Sequence, residues 1–430
     1  MKTHRQLLTT SLLLPTSLIF AACSQERSPS EEASVAVAEA AVTINTADVP
    51  PGGAPAAATE APTGMDNLTN GFSLQADMDA ARGVFADEVE EVADGLGPLY
   101  NAQSCRECHQ NPVTGAGSQI LEFRAGHFNG ISFVDHPGGS LLNSRAIDAS
   151  IQERIAAGQE VRTFRASISL LGDGFVEAID SNTLQNISNA QPAAQRGSVI
   201  QVPVLEASGN TRVGRFGWKN QQASLLSFAA DAYVNEEGIT STLQPTENTS
   251  NGNSVAAFDT VADPEDPGDG DIHSFALFVR SLKAPSRDAA AAATASAKNG
   301  DALFTSLGCD VCHVRSITTA PAGTIINGGA LTVSAALGNK NIHPFGDFLM
   351  HDIGTGDGIV QNGGQGTRNQ VRTAALWGMR TRPTLMHDGQ SVARSDAIAR
   401  HKNQAQAAAN AFAALSTTSQ QDLINFLNSL

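Results

Sequence analysis

Spare cysteine is the first thing this 430-residue chain lacks. It has five: Cys23 near the start, and Cys105, Cys108, Cys309 and Cys312, which form two copies of C-x-x-C-H. None is left for a disulfide framework or a catalytic thiol. Basic charge is also short, with 27 Lys and Arg against 43 Asp and Glu and a formal net charge of −16. Phosphate backbones repel that balance, which excludes nucleic acid as a partner. Aromatic residues make up 5% of the chain, with two Trp and two Tyr, against 41% hydrophobic residues in all. That suits a globular body with few rings. No apolar run is long enough to span a bilayer as a mature helix.

What is present is concentrated in the two short runs CRECH (105–109) and CDVCH (309–313). C-x-x-C-H is the attachment signature of c-type haem. Two thiols three positions apart meet the two vinyl groups and become thioethers, and the following His lies under the iron as its proximal ligand. Cys105, Cys108 and His109 would hold one haem; Cys309, Cys312 and His313 would hold a second. A four-thiolate zinc site would leave the trailing His residues unexplained, and thioredoxin-like redox pairs would need a βαβ context that is missing. The bland reading of the acidic balance, a solvated surface, is preferred over a face that steers a basic redox partner.

Residues 1–23 read as a processing segment. Lys2, His4 and Arg5 precede a short apolar core, and Ala21–Ala22–Cys23 resembles a lipobox, with Phe20 where Leu is usual. Cys23 would be lipidated; the alternative is a signal peptide cleaved after Ala22. Either exports the chain, and Ser24 after the cysteine favours a lipid-anchored periplasmic protein of the outer membrane. Residues 24–66, rich in Ala, Glu, Pro, Ser and Thr, read as a disordered tether. The expected first domain is 67–288. It has helical periodicity over 80–92, short helices at 146–157 and 175–184, and a small β excursion at 197–215. The acidic run at 240–271 lacks the register and closing Glu of a calcium loop and reads as solvated. The expected second domain is 289–430. It opens on an alanine-rich bridge and a helix through Phe304, and closes on a Thr417–Gln420 capping box with a stripe of Leu423, Ile424, Leu427 and Leu430.

Seven stretches then resemble the bacterial di-haem oxidoreductase family, relatives of di-haem cytochrome c peroxidases and MauG. They are GLGPLYNAQSCRECH (95–109), LLGDGFVEAI (170–179), GRFGWKNQQASLLSFAADAYVNEEGIT (214–240), FVRSLKAPSRD (278–288), LGCDVCH (307–313), IHPFGDFLMHDIG (342–354) and RTAALWGMRTRPTLMHDGQSVARSDAIARH (372–401). The resemblance implies that His401 is the distal ligand of the C-terminal haem, with Met386 as runner-up, while His387 orders the LMHDG segment by hydrogen bonding. It implies that the N-terminal haem is the reactive one. There His127 is a candidate distal ligand, ahead of His136. Glu177 is a candidate catalytic carboxylate over the iron, with a salt-bridged helix residue as the equal alternative. Trp218 and Trp377 could relay charge, although packing is the preferred role for both. Where many members carry an Asp-rich loop, residues 182–195 have no acidic cluster, which leaves calcium a weak expectation.

The resulting expectation is a mainly α protein of two cytochrome c-like haem domains, with loop and small β insertions in the first and two covalent haem c groups. Its expected activity is peroxidase-like. Electrons from a small redox protein or quinone-linked source would enter at the C-terminal haem and reduce peroxide, or another small oxidant, at the N-terminal one. The alternatives are a non-catalytic electron-transfer lipoprotein and a MauG-like oxidation of an organic substrate.

Overall fold

In the computed structural model, residues 48–53, 56–89 and 95–430 are described. The expected leader, the lipidation site Cys23 and the tether up to residue 47 lie outside them, as do residues 90–92 of the expected first helix. The described residues belong to one compact unit spanning 43–430.

Each C-x-x-C-H run is set against a pair of crossing helices, and the two settings repeat each other. In the first, helix Gln75–Ala86 buries Met78, Ala81 and Phe85 along one face, the spacing of an amphipathic helix. It packs on helix Gly270–Ser281, where Phe85 meets Phe278 at 4.9 Å and the His109 ring at 6.4 Å. In the second, helix Ala295–Ser306 crosses helix Thr417–Leu427, where Phe304 meets Phe426 at 5.2 Å and the His313 ring at 6.3 Å. Helix Gly270–Ser281 starts where the Asp266 carboxylate accepts the backbone N–H groups of Gly270, Asp271 and Ile272, satisfying donors that a helix start leaves free. The last helix is capped one residue earlier than expected. Ser416 Oγ accepts from Ser419 N, and the Gln420 side chain turns back to the carbonyls of Phe412, Ala413 and Leu415.

The mainly α expectation needs correction. Between the helix pairs the chain runs as short strands and irregular loops. The largest sheet is centred on strand Leu121–Phe128. Strand Val161–Ala166 pairs with it antiparallel from Leu121↔Ala166 to Gly126↔Val161, and strands Phe133–Asp135 and Leu141–Leu142 complete the sheet. The helix expected at 146–157 is absent. The alternation that marks these strands is carried by charge, since Glu122, Arg124 and Arg165 turn inward, so a search for alternating apolar residues passes over them. The β excursion near 197–215 is present as the hairpin Gln201–Pro203 with Thr211–Val213.

The tether expectation fails for residues 48–53 and 56–66. Val49 pairs with Ile325, and Thr59–Glu60 runs parallel to Lys340–Asn341. The Asp48 carboxylate is buried against Arg212 at 2.9 Å and accepts from Ser181 N at 2.7 Å. The segment is poor in apolar residues, and it is held by main-chain pairing and this ion pair. The main hydrophobic core also crosses the expected 288/289 boundary, joining Phe175, Phe275 and Phe278 to Ile317, Ile342, Phe348 and Trp377. A second cluster, including Phe304, Phe345, Leu423 and Phe426, surrounds the second motif.

At the second helix crossing a Cβ on Gly300 would stand 2.0 Å from the Asp422 carbonyl oxygen, so only glycine lets these backbones meet. Gly300→Val should therefore part the helices and cost about 2–4 kcal/mol. Thermal unfolding followed by circular dichroism should show a clearly lowered midpoint, and an unchanged midpoint would refute this account of the crossing.

Candidate functional site

The two motif histidines are prepared identically. His109 Nδ1 lies 3.1 Å from the Ala116 carbonyl and His313 Nδ1 lies 3.0 Å from the Phe345 carbonyl. Donation from Nδ1–H leaves Nε2 as the free lone pair, the arrangement of a metal-ligating imidazole. Burial lowers both pKa values to about 4, so both rings are neutral at pH 7 and able to ligate. Burial also pushes the neighbouring thiols up, Cys108 to about 12 and Cys309 to about 11.

Each motif opens into its own cavity, and the two cavities share a wall made of Ala166, Ser167, Ile168, Trp218 and Arg372. Trp218 Nε1 donates to the Ala166 carbonyl at 2.8 Å, which fixes the indole between them. Trp377 is packed in the core, where its ring fills the space beside Gly172.

The His313 cavity contains three further imidazoles, His351, His387 and His401. His401 follows helix Arg394–Ala399, its Nδ1 lies 2.8 Å from the Ala397 carbonyl, and its ring centroid is 6.5 Å from that of His313. Met386 also lines this cavity, with φ of +66°, an uncommon conformation for a bulky side chain. The LMHDG segment is ordered by the His387 main chain, whose carbonyl accepts from Ala166 N at 2.7 Å. The His387 side chain, expected to provide that order, instead stands edge-on to Trp218 with Nδ1 buried and unpartnered.

The His109 cavity presents carboxyl groups. Glu122, Asp173, Asp231, Glu236 and Glu237 line it, along with Arg124 and Arg165, and no second His or Met is among its described lining residues. Glu122 is buried, yet Arg124 at 2.6 Å and Arg165 at 3.8 Å hold it below the usual carboxylate range. Burial, then the charge of Glu122, pushes its hydrogen-bonded neighbour Glu236 well up. Burial and the neighbouring Glu122 carboxylate thus favour the protonated form of Glu236. Burial also raises Glu237 to about 8 and Asp173 to about 7.

Two expected site residues lie elsewhere. Glu177 is 1% exposed and does not line the cavity. Arg280 grips it at 2.7 and 2.9 Å, and it accepts from Leu225 N and Asn327 Nδ2. It is an ionised, fully partnered core carboxylate, the salt-bridged alternative. His127 has a side chain 43% exposed, bonded to Glu160 at 2.7 Å on the outer part of strand Leu121–Phe128. His136 is buried against Pro137 and Ala156. The carboxyls that do line the cavity were overlooked, although Glu236 and Glu237 stand in YVNEEGIT, one of the family-like stretches. Away from both cavities, Glu247, Asp259, Asp263 and Glu265 bring ligand-type oxygens within 4.8 Å of one another. The acidic run is thus partly folded on itself, where a solvated loop was expected.

The cavities suit a large apolar group bearing carboxylates. Arg372 is buried and Arg382 half-buried, and desolvation lowers both pKa values to about 10; Arg372 donates to the Gly217 carbonyl and Arg382 to those of Ala375 and Trp377, without an ion-pair partner among the described residues. Arg394 Nε and His387 Nδ1, both in the His313 cavity, are buried without acceptors or donors. Uncompensated groups of this kind are costly unless an anion or other polar partner reaches them, and haem propionates are such partners.

A family model described as "Di-haem oxidoreductase, putative peroxidase" matches residues 142–430, which include the second C-x-x-C-H but not the first. No curated protein matches the chain. Among solved structures, hydrazine synthase of Kuenenia stuttgartiensis is 14% identical, with 89% of this chain and 95% of that chain covered and a TM-score of 0.40. A MauG-like protein associated with microbial copper homeostasis is 15% identical, with 88% and 95% covered and a TM-score of 0.39.

Glu236→Gln mimics the protonated carboxyl, so it tests that protonation directly. A pKa raised on folding means that the native state binds more protons, and stability from this group is lost as pH rises above 4.5. The variant should match the wild type near pH 5 and exceed it by about 2 kcal/mol at pH 8. Denaturant unfolding at both pH values checks this, and equal curves at pH 8 would contradict it.

Proposed function

Because the chain belongs to the di-haem oxidoreductase family, we propose that it is a two-haem redox enzyme of peroxidase type. In this reading electrons enter at the His313 cavity and peroxide is reduced in the His109 cavity. The observation that carries the reading is the asymmetry between two otherwise matched sites: further imidazoles in one, with the His401 ring 6.5 Å from that of His313, and acidic carboxyls in the other. Cys105, Cys108 and His109 would hold one haem, and Cys309, Cys312 and His313 the other. Bound haem supplies the iron that exchanges electrons and the place where a small oxidant can bind.

His401 is the distal ligand in this reading. The His313 and His401 rings stand with their centroids 6.5 Å apart in one cavity, and together would hold the iron of that haem. Such a site is closed and carries electrons. The protein groups of the His109 cavity instead supply protons. Reducing one peroxide to two waters takes two electrons and two protons, and Glu236, with Glu122 as its ionised neighbour, holds a proton at the cavity wall. Arg124 and Arg165 keep Glu122 charged, so the pair is ready to be reprotonated. Trp218, in the shared wall, offers a π-system between the two sites. Export, anchoring through Cys23, and supply of electrons by a small redox protein or quinone-linked source complete the proposal.

The ferric or mixed-valence spectrum tests it. One high-spin haem that shifts on adding cyanide or peroxide is expected, whereas two low-spin haems indifferent to both would leave only electron transfer. His401→Ala should turn the C-terminal haem high-spin while Met386→Ala leaves it low-spin; the reverse result would move the ligand to Met386. Glu236→Gln and Glu122→Gln should each lower kcat for peroxide by roughly 10²-fold.

A further inference from the structure

Behind the shared wall lies a buried cation that the proposed chemistry does not use. Lys219 is 0% exposed. Its Nζ stands 3.2 Å from Asp357 Oδ1 and donates to the main-chain carbonyls of Thr367 at 2.9 Å, Arg368 at 3.2 Å and Gln370 at 2.6 Å. An ammonium has three protons, and here four oxygens surround it. One carboxylate plus several carbonyls, all oxygen, is the donor set that a hard cation takes.

The three carbonyls belong to the loop 355–370, which has little regular structure besides the 3-10 turn Gln365–Thr367. The loop is also tied through Asp357, held by Arg165 at 2.7 Å, through Gln361, to which Arg165 donates at 2.7 Å, through Asn362, which donates to the Gln221 carbonyl at 2.8 Å, and through Gln365, which accepts from Phe133 N at 2.7 Å. Immediately after the loop the chain reaches Arg372, whose backbone N donates to the Trp218 carbonyl at 2.8 Å. Lys219 is therefore adjacent in sequence to Trp218 and bonded to the loop that delivers Arg372.

We propose that this oxygen cage is a cation site filled by the chain's own Lys219 ammonium. The side chain does for the loop 355–370 what a bound metal ion would do, and it positions Trp218 and Arg372 in the wall between the cavities. A truncated side chain should leave a vacant site for a free cation of the same charge and headgroup, a primary alkylammonium. This inference goes beyond the redox reading and does not depend on it.

Lys219→Ala in the haem-loaded protein, probed by trypsin, tests it at the cage. Cleavage after Arg368, located by mass spectrometry, should speed up roughly tenfold as the loop opens locally. Millimolar propylammonium, which replaces the missing atoms, should restore protection, whereas tetramethylammonium at equal ionic strength, with no N–H to donate, should not. Cleavage at the wild-type rate, or faster cleavage that propylammonium fails to slow, would overturn the proposal, as would equal protection by tetramethylammonium. Should the variant not accumulate in soluble form, propylammonium in the growth medium and lysis buffer must raise its soluble yield; no rise overturns the proposal equally.

Discussion

The structure depends most on a buried run of alternating charge. Lys219 faces Asp357, Asp357 faces Arg165, Arg165 faces Glu122, and Glu122 faces Arg124, at 3.2, 2.7, 3.8 and 2.6 Å. These groups come from four separate parts of the chain: the segment after the 201–213 hairpin, the loop 355–370, and the paired strands Val161–Ala166 and Leu121–Phe128. A charge taken from water without a partner costs several kcal/mol, so each member holds its neighbours in place. The run lies behind the wall that the two cavities share and ends at the carboxyls of one of them. It thus fixes the architecture between the motifs and the proton balance of the His109 cavity together. Two guanidiniums hold Glu122 below the usual carboxylate range, while burial, and after it the charge of Glu122, pushes Glu236 up.

A repeated local design is turned to two uses. Phe85 with Phe278 supports His109 as Phe304 with Phe426 supports His313, and in each case Nδ1 is occupied by a carbonyl so that Nε2 faces the cavity. The proximal sides are thus nearly equivalent. What faces each motif differs: an imidazole anchored to the Ala397 carbonyl in one cavity, and a set of acids with raised pKa values in the other. In the proposed reading, matched motifs with opposite surroundings would let one chain combine an electron-carrying site with one that receives a substrate and its protons.

The sequence and the structure agree best where chemistry is local. The motifs, the helix face through Phe304, the stripe of Leu423, Leu427 and Leu430, and the small hairpin near 201–213 could all be read because each signal lies within a few residues. The reading failed where partners are distant. Glu177 looked like a site carboxylate from its place in GFVEAI, but Arg280, a hundred positions on, claims it. His127 looked like a ligand from its distance to His109, but the strand register turns it to solvent beside Glu160. Residues 48–53 and 56–66 looked like part of a tether because they have little apolar surface, yet Val49 pairs with Ile325 and Thr59–Glu60 with Lys340–Asn341.

By itself the sequence determined that two haem-attachment motifs exist, that no thiol is left over, and that helices of the right periodicity accompany the motifs. Those are properties of spacing, set by bonds and turns a few residues long. Only the tertiary structure decided which side chains line each cavity, that Trp218 stands in both, and that Glu122 and Glu236 meet side by side. Such properties arise from groups far apart in the chain that are desolvated together, because a buried charge is governed by its nearest neighbours in space.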